Sequence, residues 1–440
     1  MRILVSYIKK RTVMKKNLRR LVGGMLLLIV TACGKNNSDP DPDPTPDPGP
    51  GVDPTPDIVV RDLSADGTSN SYIILQEGAC SFDATVKGNG SATEGLEAPE
   101  KMSPDSAALL WETNRGMITD VKLKDGTISF KAAGVNGNAV IAAYSAAKKI
   151  IWSWHIWFPE EKIKTVETKS GYEVMNMNLG AMTSSFGETS SVKPYGLLYQ
   201  WGRKDPFPGS PTLTGNTNTI NVPVYGPDGK EVKISNSSWT STGNNTIEYS
   251  IEHPTICLSN YAQNVSCKDW LKSSDSNDAL WGNPNGNEKN SENEYPNEGA
   301  KSYYDPCPVG YLVPPADVFR TFTATGAYSQ NMADFDVADS NGDGVINEKD
   351  YNYGWHFNMK NGSLFFPSAA RYDGKWAMLM GSKSGLWGSY WGNAPAKSYG
   401  ETTGFGFCVL AFMNESAEIS VSATAAASRA DAYSVRCIKE

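Results

Sequence analysis

The chain has 440 residues, with 40 Lys and Arg against 48 Asp and Glu, for a formal net charge of −8. The first 33 positions hold eight basic residues and no acid, so everything after Cys33 carries −16. So acidic a chain excludes nucleic acid as a partner, because phosphate backbones demand a basic patch. Abundant Gly, Asn, Ser, Thr and aromatics, with few amphipathic helical stretches, predict a mostly β protein with some α.

The first 33 residues read as a lipoprotein signal peptide. Its compact version starts at Met14 with Lys15, Lys16, Arg19 and Arg20, continues through the apolar run Leu21 to Ala32, and ends at Cys33. That run is shorter than the roughly 20 residues a membrane-spanning helix needs. A basic start, a short apolar stretch and small residues before the cut fit a processed export signal. Cys33 is therefore the expected lipid attachment site and the first residue of the mature chain. Two or more acyl chains on it would anchor the protein stably to a membrane. The expected location is the outer membrane, facing the cell surface.

Residues 34–57 carry the tract DPDPDPTPDPGPGVDPTPD. Proline fixes φ and lacks an N–H, which bars the tract from helix or sheet interiors. It reads as an extended stalk of about 3.1 Å per residue, roughly 60 Å at full reach.

Residues 58–158 contain seven strand candidates: Ser71–Gln76, Ser81–Val86, Ala107–Trp111, Met117–Leu123, Thr127–Lys131, Ala139–Tyr144 and Ile150–Phe158. Turn signals such as Lys124-Asp125-Gly126 separate them. Seven short strands in about 100 residues predict an immunoglobulin-like β-sandwich. The last, IIWSWHIWF, is apolar on both faces, which predicts burial on both sides, at a seam with the next unit of the chain. His155 within it has no acidic, Cys or His neighbour at a ligand spacing and reads as structural.

Residues 159–440 form the second expected unit. Within it 210–300 is rich in Asn, Ser, Thr, Gly and Glu and reads as a long insertion of surface loops. Cys33 apart, six cysteines remain: Cys80, Cys257, Cys267, Cys307, Cys408 and Cys437. Export permits disulfides, but six cysteines allow 15 connectivities and spacing does not choose among them.

VMNMNLGAM (174–182), YGLLYQWGRKDPFPG (195–209), YDPCPVGYLVPPADVF (304–319) and AYSVRCIKE (432–440) resemble, in order and spacing, the fibrobacter-type major paralogous domain. The blocks cover roughly a fifth of the second unit. That family is similar to the C-type-lectin-like fold, an α+β domain shared with formylglycine-generating enzymes and with surface adhesins. NSYIILQEGACSFDATVKGNG and AVIAAYSAAKKIIWSWHIWF, upstream, resemble the sandwich that precedes this domain in Bacteroidota-type surface lipoproteins. The resemblance implies that the first and last strands of the second unit meet, within reach of a Cys307–Cys437 disulfide. Cys257 and Cys267 are a second candidate pair.

One segment spells out its chemistry. DSNGDGVINEKD, 339–350, matches a calcium loop: Asp339, Asn341 and Asp343 at positions 1, 3 and 5, and the Val345 carbonyl at position 7. Asn347 stands at position 9, Asp350 at position 12, and Gly344 supplies the sharp turn. The flanks do not read as paired amphipathic helices, so calcium is expected to staple the loop.

No P-loop, dinucleotide glycine motif, HExxH or triad signature is present, and His155, His253 and His356 lie far apart. The chain therefore reads as a non-enzyme. Aromatics crowd the last hundred residues, and Trp355, Trp387, Tyr390 and Trp391 are candidate ligand-stacking residues, with core packing as the competing role. The expected function is a lipid-anchored surface binding protein or adhesin for glycan or protein. An accessory or tip subunit of a surface fibre is the second reading. A glycan-active enzyme is the third, since carboxylate separation is not legible in sequence.

Overall fold

In the computed structural model, each of the seven segments read between 71 and 158 is a strand, and a short one precedes them. The strands are β1 (Arg61–Asp62), β2 (Ser71–Ile73), β3 (Gly78–Asp83), β4 (Ser106–Glu112), β5 (Ile118–Lys124), β6 (Thr127–Ala132), β7 (Gly137–Tyr144) and β8 (Ile150–Phe158). The structure describes residues 59–187, 191–214, 221–236, 245–259, 269–272, 276–285, 299–315, 317–398, 401–415 and 418–440. Cys33, the 34–57 tract and Cys267 lie outside them. Residues 58–440 form one compact unit, distinct from 1–57.

The eight strands build two four-stranded sheets, ordered β1-β3-β6-β5 and β2-β8-β7-β4. Period-two alternation sends Phe82, Ile128 and Phe130 of one sheet against Ile141, Trp154 and Ile156 of the other, giving an apolar core. β8 is buried on both faces. Trp152, Trp154, Ile156 and Phe158 fill this core, while Trp157 belongs to the next one with Met175, Leu179 and Trp201. Its indole donates to the Ala181 carbonyl (2.7 Å).

Beyond β8 the strands shorten: β9 (Thr165–Glu167), β10 (Glu173–Met175), β11 (Leu197–Gln200) and β12 (Phe207–Pro208). β10 and β9 join a four-stranded sheet with Ile438–Lys439 and Tyr311–Leu312, so the end of the chain lies between two distant segments. β11 and β12 enter a ten-stranded sheet through Ala432–Ser434, next to the long strands Trp387–Ser398 and Glu401–Glu415. The structure is 34% strand and 6% helix, a mostly β protein with little α.

Short strands leave many backbone groups outside ladders, and buried side chains take them up. Arg436 stacks over Phe366 and donates to Asn178 Oδ1 (2.7 Å) and to the Met175 and Phe365 carbonyls. Arg203 donates to Gln200 Oε1 (2.8 Å) and the Ile256 carbonyl (2.7 Å). Cys307 and Cys437 form a disulfide with Cα atoms 6.0 Å apart. Gly202 supplies the left-handed turn at φ 83°; a Cβ there would fall 2.6 Å from Leu280.

The insertion 210–300 departs from the expectation of surface loops. Ile247–Glu252 is a helix capped by Thr246, whose hydroxyl accepts from the Tyr249 N–H (3.0 Å). Ser235–Asn236 pairs in parallel with Ile256–Cys257. Trp270, Leu271, Leu280 and Trp281 are core residues. They stand in short apolar pairs, Trp270-Leu271 and Leu280-Trp281, among polar residues, with no period to mark a helix or strand.

Candidate functional site

The segment 339–350 folds as a loop closed by its own carboxylates. Asp339 accepts from the N–H groups of Gly342 (2.7 Å) and Gly344 (2.8 Å). Asn341 Oδ1 accepts from Asp343 N–H (2.8 Å), and Asp343 Oδ1 from Val345 N–H (3.0 Å). The Val345 bond, then the Asn347 amide, hold the Asp343 carboxyl below the usual carboxylate range. Asp350 is 1% exposed and closes the circle. It accepts from Ser340 (2.8 Å), Asn341 (3.1 Å) and Asn347 (2.9 Å), the last as part of a capping box.

The loop's tips are exposed, while Ile346 packs onto the core that holds Trp355 and Phe357. Among the described residues no three His, Cys, Asp or Glu side chains converge tightly enough to hold a metal by themselves. The loop's own donor set is wider, adding Asn341, Asn347 and the Val345 carbonyl to three carboxylates. All-oxygen donors of this kind fit calcium and offer nothing to a softer metal.

Behind the loop stands a strut. Tyr351 follows Asp350, and its hydroxyl bonds to Ser368 Oγ and to the Gly385 carbonyl (3.0 Å). Its ring meets Trp355 edge-on, with centroids 5.1 Å apart. The loop is thereby tied to the segment that leads into Trp387.

The four candidate stacking residues separate by burial. Trp355, Tyr390 and Trp391 are each 0% exposed. Tyr390 donates to the Pro367 carbonyl (2.8 Å), and Trp391 to the Tyr199 carbonyl (2.7 Å) while stacking on Tyr433. A ring packed on both sides has no face for a ligand, so these three are core residues and not a stacking surface. Trp387 is half-buried, with the Arg371 guanidinium 4.8 Å and the Lys383 ammonium 4.5 Å from its ring centroid. Among the described tryptophans the exposed one is Trp376, 46% exposed, at the tip of the turn between Tyr372–Asp373 and Met378–Leu379. Asp373 Oδ1 fixes that turn by accepting from Lys375 (3.0 Å) and Trp376 (3.1 Å). The Asp373-Gly374 turn signal just before a tryptophan was the sequence clue that would have separated it from the others.

The four sequence blocks 174–182, 195–209, 304–319 and 432–440 all meet in the scaffold. Leu179 N–H bonds to the Val435 carbonyl (2.9 Å), Met175 N–H to Cys437 (2.9 Å), and Asn178 to Tyr195 (3.0 Å). Asp305 caps its own turn through Cys307 (2.7 Å) and Val313 (2.8 Å), and burial pushes its carboxyl up to about 6. Lys204 and Asp205 form a buried pair (2.6 Å) that also engages Ser153 of β8, across the seam. Desolvation lowers the Lys204 ammonium, and the Asp205 carboxylate opposes that shift. The Ser153 hydroxyl donates to Asp205, and all three residues are buried away from solvent, so the trio serves as a structural strap.

His155 is fully buried between Ser71 Oγ (3.1 Å) and Asn138 Oδ1 (2.8 Å), and burial holds its pKa down to about 3. Cys257 is buried; its candidate partner Cys267 lies outside the described residues. Among the described residues no helix is long and apolar enough to cross a membrane. No family model matches the chain, and no curated protein or solved structure matches it either.

Proposed function

We propose that the chain is a lipid-anchored cell-surface binding protein, held through Cys33, whose head recognises glycan or protein beside a calcium-stapled loop. The N-terminal signal pattern supports the anchor and the outer-membrane location. An immunoglobulin-like sandwich followed by a C-type-lectin-like head is the architecture this reading assigns to the β-rich body. The observation that carries the reading is the loop 339–350. Its oxygen-bearing residues gather in twelve positions, mostly exposed, yet it is fastened to the core through Asp350, Ile346 and Tyr351. Asp339, Asn341, Asp343, Val345, Asn347 and Asp350 would hold the ion. Calcium there would supply charge neutralisation for three carboxylates and rigidity for the surface around them.

Trp376 is the residue placed to stack on a sugar ring or a partner side chain, with Trp387 as the half-buried neighbour in the same segment. The test is a glycan array and a panel of host surface proteins, each run with calcium and with chelator. The expected result is a ligand lost on chelation and weakened by Trp376→Ala. Binding indifferent to both would end the proposal. Mass spectrometry of the native N-terminal peptide tests the anchor separately: a peptide from Cys33 without acyl chains would remove it.

A further inference from the structure

The sheet β1-β3-β6-β5 turns one face to the sandwich core and the other outward. Cys80, Phe82, Ile128 and Phe130 are buried on the inner face, so alternation turns Ser81, Asp83, Thr127, Ser129 and Lys131 outward. The register sets the outer residues in rows across the strands. Lys122 of β5 stands opposite Ser129, Ser129 opposite Ser81, and Ser81 opposite Asp62 of β1. The row on one side of it runs from Lys124 through Thr127 to Asp83. The row on the other side runs from Thr119 through Lys131 to Ala79.

Charge changes sign across these rows. Lys122, Lys124 and Lys131 occupy the β5–β6 half, where the only strand acid is Asp120, in the bulge between Thr119 and Lys122. Asp62 and Asp83 occupy the β1–β3 half. With Asp125 of the β5–β6 turn they line a recess of about 280 Å³. Arg61, the one base on β1 and β3, is committed to the Gln76 and Glu77 carbonyls. Among the described residues none of Lys122, Lys124, Lys131, Asp62, Asp83 and Asp125 is in an ion pair. Asp62 accepts from the Ser64 N–H (2.9 Å) and hydroxyl (2.7 Å) through Oδ1, and Asp83 from the Thr85 N–H and hydroxyl (both 2.7 Å) through Oδ1. The Oδ2 atom of each is left for another donor.

A face with this layout is complementary to itself in one orientation. A two-fold axis parallel to the strands, between β3 and β6, lays the β5 side of each copy over the β1 side of the other. Lys122 of one copy then stands over Asp62 of the second copy, in the same row, and the contact occurs twice. Lys124 stands beside the acidic recess in the same way. An axis running across the strands would set β5 on β5 and lysine on lysine, which like charges oppose.

We propose that the outer face of this sheet pairs with the same face of a second copy of the chain, through two symmetric contacts between Lys122 and Asp62. Four strands spaced about 4.8 Å and roughly 20 Å long make a face of about 300 Å² per copy. A standard interface covers about 800 Å² per partner. Exposed ion pairs contribute at most about 1 kcal/mol each. The association is therefore weak, oriented by charge and sensitive to salt.

The test is sedimentation equilibrium of the full chain at about 10⁻⁴ M. A monomer–dimer exchange is expected, weakening about tenfold or more between about 0.05 and 0.5 M salt. Lys122→Asp and Asp62→Lys each place like charges in both contacts and lower self-association about tenfold or more. The double variant exchanges the two charges, restores both contacts and recovers the parental association. A one-to-one mixture of the two single variants recovers it too, because the mixed dimer again holds two opposite-charge contacts. Both positions are exposed, and unchanged thermal melts show that the fold is kept. A monomer at every salt concentration, or single variants that associate like the parent, overturns the proposal. So does a double variant as weak as the single ones, which would mean that charge acts without the two-fold arrangement.

Discussion

The sandwich and the unit after it hold together by different means. Between β1 and β8 the strands run six to nine residues apart from the first two, and almost everything inside is apolar. The ladders satisfy the backbone, and alternation does the rest. From β9 onward many strands are two or three residues long. There the backbone is satisfied by Arg436, Arg203, Gln200 and Asp305, and the ends are joined by a disulfide. A fold with little regular structure stays ordered by converting buried polar side chains into scaffold, which makes it sensitive to single polar substitutions.

The largest effect should come from the cross-link. Cys307→Ser with Cys437→Ser opens a loop of 130 residues and should cost about 4–5 kcal/mol, read by denaturant unfolding. A loss confined to the second unit would sharpen the contrast. Equal loss of amide protection in β3 and β6 would erase it, showing that the two parts unfold as one. Next is the seam. Asp205→Ala strands the Lys204 ammonium beside Trp152 and should cost about 3–5 kcal/mol. A change under about 1 kcal/mol would mean that the apolar face of β8 alone holds the seam.

Calcium is a smaller lever. With a dissociation constant of about 10⁻⁴ M, 10 mM calcium should stabilise the protein by about 2.7 kcal/mol. Asp339→Asn should abolish the gain, as followed by thermal melts with and without chelator. A gain left intact in that variant would place the ion elsewhere.

The smallest effect, read between about pH 7 and 5.5, is a pH dependence at His155, on the face of β8 turned to the seam. His155 stays neutral in the folded state down to about pH 3, whereas the unfolded chain takes up a proton near 6.5. Stability from this group is full above 6.5 and falls as pH drops from there toward 3, by at most about 1.4 kcal/mol per unit. His155→Gln should flatten that slope against the parent. Asp305, with its carboxyl raised to about 6, acts in the opposite sense in both proteins and cancels in the difference.

The sandwich was legible because its code is local. A two-residue period with Asp-Gly and Asn-Gly turns yields strands without knowledge of what they face. The turn at 339–350 was legible for the same reason, since its Asp, Asn and Gly residues sit within twelve positions. The second unit carries no such local code, and its sequence blocks say nothing by themselves of what they pack against. Their role as a mutually bonded scaffold depends on contacts such as Arg436 with Asn178, more than 250 positions apart.

The sequence by itself determined the β class, the strand positions of the sandwich, the oxygen-rich loop and the acidic balance, all properties of neighbouring residues. Only the tertiary structure decided which of the described tryptophans are core and which is exposed, and which buried polar groups partner one another. Those depend on burial and on partners far along the chain. A side chain carries no record of either until packing has removed water from one of its faces.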